Sequence, residues 1–526
     1  MLAQVLRRQR TGVSMRKMGS HEVLAATRLW RLGNGGFRAF LVLVVAFVAL
    51  SATRSALAVP SFARKYNTSC QTCHTAFPVL NPFGEAFRRS GFRFPSVNGS
   101  EDSDAAKEEN LPLGQEEYEK TFPNSVWPDR ISQPPPLSLL VFGSFGYTIP
   151  GSDLNKSSRN TWTWDGIVRS VSLIGAGTFS ERMSYYVKAS VTPTGAKLGA
   201  AYLNWRDLLG PRNLLNLSIG RLAAPQLTSY SAGESYVNHQ FMPLVSVAGL
   251  FNSNNLFILG NGPADGAELN GIAFHRVSYS AGWIASTAQS SSSIPTSEDV
   301  YAHVGAKFGG MSLDGEGSHG MDVANPVRPW SETSLTVDTF GYRGVTLADN
   351  GINAPQFTAQ RSSVIAAGHA VHINIQSLLI NGMLQYQVHH RPYPGTAPIA
   401  ANPPAQPNPL PGVPDNRRGR GIIASGEIAY IIYPWLIPAV RAEYTRLDSG
   451  WGVGSLLRVL PGATLLLRPN LRLYIVADIE RANKLPPVAP GNPSWWLLAG
   501  GSIQPSPGQT SKLQVEQIAS VLSWSF

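Results

Sequence analysis

Cys70 and Cys73 are the only 2 cysteines in a chain of 526 residues, and His74 follows them directly. Two thiols three residues apart can reach the two vinyl groups of one porphyrin, and the adjacent imidazole can reach its iron axially. Cys-x-x-Cys-His is for that reason the attachment pattern of c-type haem. One covalent haem c is the expected cofactor, bound by Cys70, Cys73 and His74, with His74 as the metal ligand and no residue assigned a catalytic role. Three other readings compete. A structural zinc site needs about four ligands, and no second thiol pair or nearby histidine completes one. A thioredoxin-like pair belongs in a βαβ setting, which this segment lacks. A plain disulfide leaves His74 as a chance neighbour.

The residues that must position this motif read as a small helix. Asn81 suits an N-cap, Pro82 the first helical position, and Gly91 the position past the last turn. Arg88 and Arg89 then fall where the helix dipole favours positive charge. Leu80, Phe83 and Phe87 form one apolar stripe, suited to a haem or to an ordinary core. Residues 59 to 95 are too few to fold alone, since below about 40 residues a chain usually needs a staple. A second axial ligand, Met or His, is absent between Thr75 and Arg182. The candidates lie further on: Met383, His372 and His389, and His239 or Met242 between 222 and 264, each more simply explained by packing or polarity.

The rest of the chain sets the context. Residues 1 to 58 hold 9 Lys or Arg and 1 acidic residue, run into the apolar stretch 39 to 50, and end in Ala56-Leu57-Ala58. That is the layout of a signal peptide, too short in its apolar part for a membrane-spanning helix. Without it, the formal charge falls from +10 to about +2, so basicity gives no support for nucleic-acid binding. Residues 96 to 136 form an acidic linker ending in Pro134, Pro135 and Pro136, a composition that cannot bury a core. From 137 to 526 the chain is strand-like throughout.

Around Asn381-Gly382, a strong hairpin signal, a turn pairs Ile380 with Met383, Gln376 with Gln387 and Asn374 with His389. One face then carries His372, Asn374, Gln376, Gln385, Gln387 and His389. The other carries Val371, Ile373, Ile375, Leu384, Tyr386 and Val388. Residues 471 to 480 repeat the pattern, with Leu471, Leu473, Ile475, Ala477 and Ile479 opposite Arg472, Tyr474, Asp478 and Glu480. Such faces suit a soluble sandwich, apolar side inward, or an outer-membrane barrel, apolar side to lipid. Tight connections at Asn381-Gly382, Pro434-Trp435 and 468 to 470 alternate with long loops at 391 to 420, 448 to 453 and 483 to 511, as in a membrane barrel with short periplasmic turns. The chain ends on an amphipathic strand with Ile518, Leu522, Trp524 and Phe526 on one face. The expected fold is mainly β: a transmembrane outer-membrane barrel of about 16 antiparallel strands, 18 being the alternative, preceded by a very small helical haem domain.

The segment from Ala58 to Phe92 resembles the fused outer-membrane monohaem cytochrome c-porin family, whose members include iron-oxidising outer-membrane cytochromes. The likeness rests on Ala58, Pro60, Phe62, Ala63, Arg64, Cys70, Cys73, His74, Pro78, Leu80, Gly84, Phe87 and Gly91, with Arg88 and Phe92 as conservative matches. It departs at Lys65, Tyr66 and Asn67, where the family has Gln-Thr-Gly, and at Glu85, where it has arginine. The resemblance implies a protein of the bacterial outer membrane, in contact with its lipid, with the haem domain on the periplasmic side or in the lumen. It also implies electron transfer from an extracellular donor, Fe(II) among the candidates, to a periplasmic c-type cytochrome or other acceptor, as a carrier or as an Fe(II):cytochrome c oxidoreductase. Two alternatives stay open: a porin-like solute channel whose tethered haem domain senses or gates, and a soluble extracellular β-protein carrying a haem.

Overall fold

In a computed structural model of the protein, the chain divides into two compact units, 1–57 and 58–526. The structure describes 62–93 and 137–525 with breaks, the longest at 151–160, 249–262, 317–326, 349–359, 391–417 and 503–512. The expected leader, the linker 96–136, most of the loop 391 to 420, His239, Met242, Arg64 and Phe526 lie outside the described residues.

Strand-forming alternation from Leu137 onward closes into one barrel of 18 segments. Neighbours are antiparallel, and Leu513–Ser525 closes the ring against Leu137–Pro150. Two segments are short outer pieces of longer staves. Thr161–Trp164 pairs with one half of Leu137–Pro150, and Ser170–Ser180 with the other half. Ser293–Ile294 and Asp299–Gly309 likewise share Thr333–Ala348. Counting each such pair as one stave leaves about 16 staves among the described residues, a barrel wide enough to enclose a lumen.

The two faces sort as their chemistry requires for a wall between lipid and lumen. Leu384, Tyr386, Ile365, Val440 and Tyr444 are exposed on the outside, while Gln385, Gln387, His389, Asp338, Arg441 and Glu443 are buried within. Arg472, Tyr474, Asp478 and Glu480 point inward together, and Ile475 points outward. Buried charges pair with one another along the wall: Arg441 with Glu443 (2.6 Å), and Arg458 with Asp478 (2.5 Å) and Glu480 (3.2 Å). A buried charge left without a partner is costly, so pairing is what makes their burial tolerable.

One turn differs from expectation. Asn381-Gly382 lies inside the strand Leu378–His390, and the hairpin turns at Gln376-Ser377, with Ile375 opposite Leu378 and His372 opposite Asn381. The pairings of Gln376 with Gln387 and Asn374 with His389 therefore do not occur. The neighbouring staves decide the matter. Thr333 pairs with Ile375, and Leu378 with Tyr430, which fixes this rim of the barrel. A turn five residues later would carry the hairpin about 16 Å beyond that rim. The turns at 431–435 and at 469–470 lie as expected, at this same rim.

Candidate functional site

The Cys-x-x-Cys turn is a single helical turn, α1 (Cys70–Cys73), capped by Ser69, whose Oγ accepts from the Gln71 N–H at 3.2 Å. His74–Ala76 then pairs back on Val79–Leu80, and the chain enters α2 (Pro82–Arg89). As expected, Asn81 caps α2, its Oδ1 accepting from the Gly84 N–H at 2.9 Å, with Pro82 at the first helical position. The amide end of the same side chain was not anticipated in this role: Nδ2 donates to the carbonyls of Gln71 (2.9 Å) and Thr72 (3.0 Å). Asn81 N–H also donates to Cys73 O at 2.9 Å. One residue thus clamps α1 onto the start of α2.

Gly84 sits where α2 crosses that turn. A Cβ there would stand 2.0 Å from the Cys73 carbonyl oxygen, so only glycine allows the approach. Phe83 and Phe87 are buried, and Phe87 packs with Phe62, Tyr66 and Phe92, the first two rings edge to face at 4.9 and 5.7 Å. Gly91 follows the helix with φ +70°, the left-handed conformation glycine tolerates.

The three chemically capable side chains are brought together by this frame. The His74 Nδ1 lies 3.1 Å from the Pro78 carbonyl, so that nitrogen carries the proton and donates, which leaves Nε2 as the atom able to ligate. Burial holds the imidazole neutral, its pKa down at about 4 against the opposing pull of the Pro78 and Val79 backbone and of Glu85. Burial also pushes the Cys73 thiol up to about 12, with the charge of Cys70 adding to it, and raises Cys70 as well. Thiols held protonated are the opposite of what a thioredoxin-like pair needs. Both are free cysteines, and among the described residues the convergent triad of metal-ligating groups, His275, Asp314 and Glu316, includes neither. The set that remains is two thiols one helical turn apart beside a neutral imidazole with Nε2 available, and that donor chemistry fits covalent haem attachment.

The 62–93 segment sits in the mouth of the barrel at the short-turn rim. Ala76 and Val79 pack against Tyr236, Trp330, Leu379 and Ile431. Arg93 pairs with Asp207 at 2.7 Å and donates to Asn213 Oδ1 at 3.2 Å, and Asn213 Nδ2 donates to Ser90 at 3.2 Å. Arg206 Nη1 donates to the Arg89 carbonyl at 2.5 Å, and Arg89 Nη1 to the Leu313 carbonyl at 3.3 Å. Phe92 stacks on Tyr186, ring centroids 5.9 Å apart. These docking residues gave no sequence signal, because partners more than 90 positions apart leave no local pattern.

Part of the 222 to 264 segment folds into the lumen. The Gln226 N–H donates to Glu268 (3.1 Å) and the Ser229 N–H to Asp338 (3.0 Å), while the Tyr236 N–H donates to Glu427 (2.9 Å). Arg472 Nη2 donates to the Tyr236 carbonyl at 2.8 Å, and Ser235 donates to Glu427. Among the described residues the anchors of this strap, 226–230 and 235–237, run along the inner wall from Glu268 round to Arg472.

Of the candidate second ligands, His372 shares the Tyr230 ring with α2, whose Arg89 guanidinium lies 5.4 Å from its centre. Its ring packs on Tyr230 at 4.1 Å between centroids, and its Nδ1 lies 2.9 Å from Asn381 Oδ1. His389 bonds Gln387 along its own strand at 3.0 Å, and Met383 belongs to an apolar cluster with Leu222, Tyr301 and Phe340.

No family model matches the chain, and no curated protein matches it significantly. Among solved structures it is similar to OmpT of Vibrio cholerae, at 11% identity and a TM-score of 0.43, over 74% of this chain and 99% of that one. It is also similar to an anion-selective porin from Comamonas acidovorans, at 8% identity and a TM-score of 0.46 over 74% and 99%. A third is the outer-membrane channel DcaP of Acinetobacter baumannii, at 10% identity and a TM-score of 0.42 over 74% and 96%.

Proposed function

We propose that this protein carries electrons across the bacterial outer membrane through one covalent haem c, attached at Cys70 and Cys73 and ligated by His74. The donor would be extracellular, Fe(II) being the one to test first, and the acceptor a periplasmic c-type cytochrome. The observation that carries the reading is the His74–Pro78 contact, which places the imidazole proton on Nδ1 and leaves the lone pair on Nε2, beside two thiols at the right spacing. When bound, the haem supplies reversible one-electron chemistry.

The residues of the chain have definable tasks. Asn81 and Gly84 hold α1 against α2, so the thiols and imidazole keep one geometry through a change of charge. Phe87 and its aromatic neighbours exclude water from that segment. The barrel supplies passage through a hydrocarbon layer about 25 Å tall, which a haem left in the periplasm could not cross. The segment in the barrel mouth and the strap inside the wall together support a relay over an open solute channel, because both occupy space that solutes would need.

The test is to purify the full chain in detergent, identify covalent haem by its pyridine haemochrome spectrum, and mix it anaerobically with Fe(II). Reduction within seconds is expected. Haem that is bound but not reduced at any pH would remove Fe(II) as donor, and absence of haem would end the electron-transfer reading.

A further inference from the structure

Arg89 is buried at the last turn of α2 with Nε and Nη2 lacking any hydrogen-bond partner. Those two atoms form the edge through which a guanidinium grips a carboxylate with two parallel bonds. The nearest carboxylate is already engaged: Arg88 Nε and Nη2 both donate to Glu85 Oε2, at 3.0 and 2.9 Å. Arg89 Nη2 is left 3.6 Å from that same oxygen, too far for a hydrogen bond. The rest of the side chain is fixed, with Nη1 on the Leu313 carbonyl and the guanidinium carbon 5.4 Å from the Tyr230 ring centre. A buried cation with its bidentate edge empty is costly unless an anion completes it.

Building on the haem reading, we propose that the open edge of Arg89 binds a carboxylate, and that this carboxylate is a propionate of the haem attached at Cys70 and Cys73. The spacing suits it: Arg89 lies five residues along α2 from Gly84, which touches Cys73, about 7.5 Å of helix. Local charge suits it too. Arg88, Arg89, Arg93 and Arg206 gather against the carboxylates of Glu85 and Asp207, an excess of cations. Burial lowers the Arg89 pKa, opposed by the charge of Glu85, and lowers Arg206 to about 10, which leaves Arg206 charged at neutral pH. Asp338 is the other carboxylate facing Arg89. It already accepts from Ser229 and His303, and its Oδ2 has no partner, so a water bridging Oδ2 to Arg89 is the rival explanation.

Resonance Raman of the propionate bending band and a redox titration separate the two on the full chain in detergent. Arg89→Gln should retain covalent haem, displace the band and shift the midpoint potential downward, because loss of a nearby cation favours the oxidised iron. Arg89→Lys, the milder change, should recover the potential more fully than the band, since an ammonium lacks the bidentate edge. Arg88→Gln and Asp338→Asn should leave the band in place. An unmoved band in haem-loaded Arg89→Gln or Arg89→Lys overturns the proposal alone, as does an Asp338→Asn variant that reproduces the Arg89→Gln effects. Absence of covalent haem overturns both this proposal and the reading it rests on.

Discussion

The carbonyl oxygen of Cys73 occupies the space a Cβ on Gly84 would fill, 2.0 Å from where that atom would stand. Helix α2 is thereby laid directly over the turn that carries both thiols, and the contact is backbone to backbone, with no flexible side chain to yield. Gly84→Ala should cost about 1–3 kcal/mol, as overpacking does in close-packed sites. The turn must shift to accommodate it, so the fraction of protein carrying covalent haem should fall several-fold while barrel assembly, read from heat-modifiable gel mobility, is unchanged. Full haem loading in Gly84→Ala would mean that α2 does not set the thiol geometry.

Asn81 separates two jobs in one side chain. Asn81→Ala removes the α2 cap, about 1 kcal/mol, and leaves the Gln71 and Thr72 carbonyls without their donor, about 1–3 kcal/mol more. Asn81→Asp keeps a capping oxygen but sets a carboxylate against two carbonyls. If the clamp on α1 matters more than the cap, the aspartate variant should lose haem attachment as severely as the alanine variant. If the cap dominates, the aspartate variant should behave like the parent. Haem content per barrel, measured by haem stain against total protein, decides between them.

The motif and its helix were legible because their information is local. A capping Asn81, Pro82, the terminal arginines and Gly91 all act within a few residues, and each stands where the sequence places it. The faces of the barrel were legible for a different reason: inward and outward depend only on parity. The Asn-Gly signal puts the hairpin turn at 381–382 and the structure puts it at 376–377, but that displacement alters the pairing by an even number, so His372, Gln385 and His389 still face inward. The turn itself was not legible, because register against Thr333–Ala348 and Arg418–Tyr430 outweighed a strong Asn-Gly signal. Nor was the seat of the 62–93 segment, where Arg93 meets Asp207 across 114 positions.

That seat should loosen in acid. Burial alone would push Asp207 up, but the hydrogen bond and charge of Arg93, the Asn213 N–H and the charge of Arg212 outweigh it and hold the carboxyl below its ordinary 3.8. A depressed carboxyl stabilises the folded arrangement fully above its ordinary value and loses that contribution as pH falls through the lowered one. Protease cleavage of the 62–93 segment in the assembled barrel should therefore be flat from neutral pH down to about 4 and rise below it. Asp207→Asn should abolish the step and give elevated cleavage at every pH. A parent profile with its step near pH 6.5 would assign control of the seat to a histidine instead.

The strap gives the last prediction, and it bears on relay against channel. Glu427 accepts from both Ser235 and the Tyr236 N–H, while Arg472 holds the Tyr236 carbonyl, so the strap is tied to opposite sides of one short stretch. Glu427 is itself buried and lies 3.6 Å from Arg441, so Glu427→Ala also removes one of the two carboxylates facing that buried cation, Glu443 at 2.6 Å remaining as its partner. Arg472→Ala removes the second tie without that added loss. Single-channel recordings in planar bilayers should give small conductance for the parent chain and a several-fold increase for either variant. Fe(II)-driven haem reduction should be retained in Arg472→Ala, because the Cys70–His74 turn is held by Ser69, Asn81 and the Pro78 carbonyl rather than by Arg472. A parent chain that already conducts like an open pore would show that the strap and the mouth segment leave a free path, and would favour the solute-channel alternative.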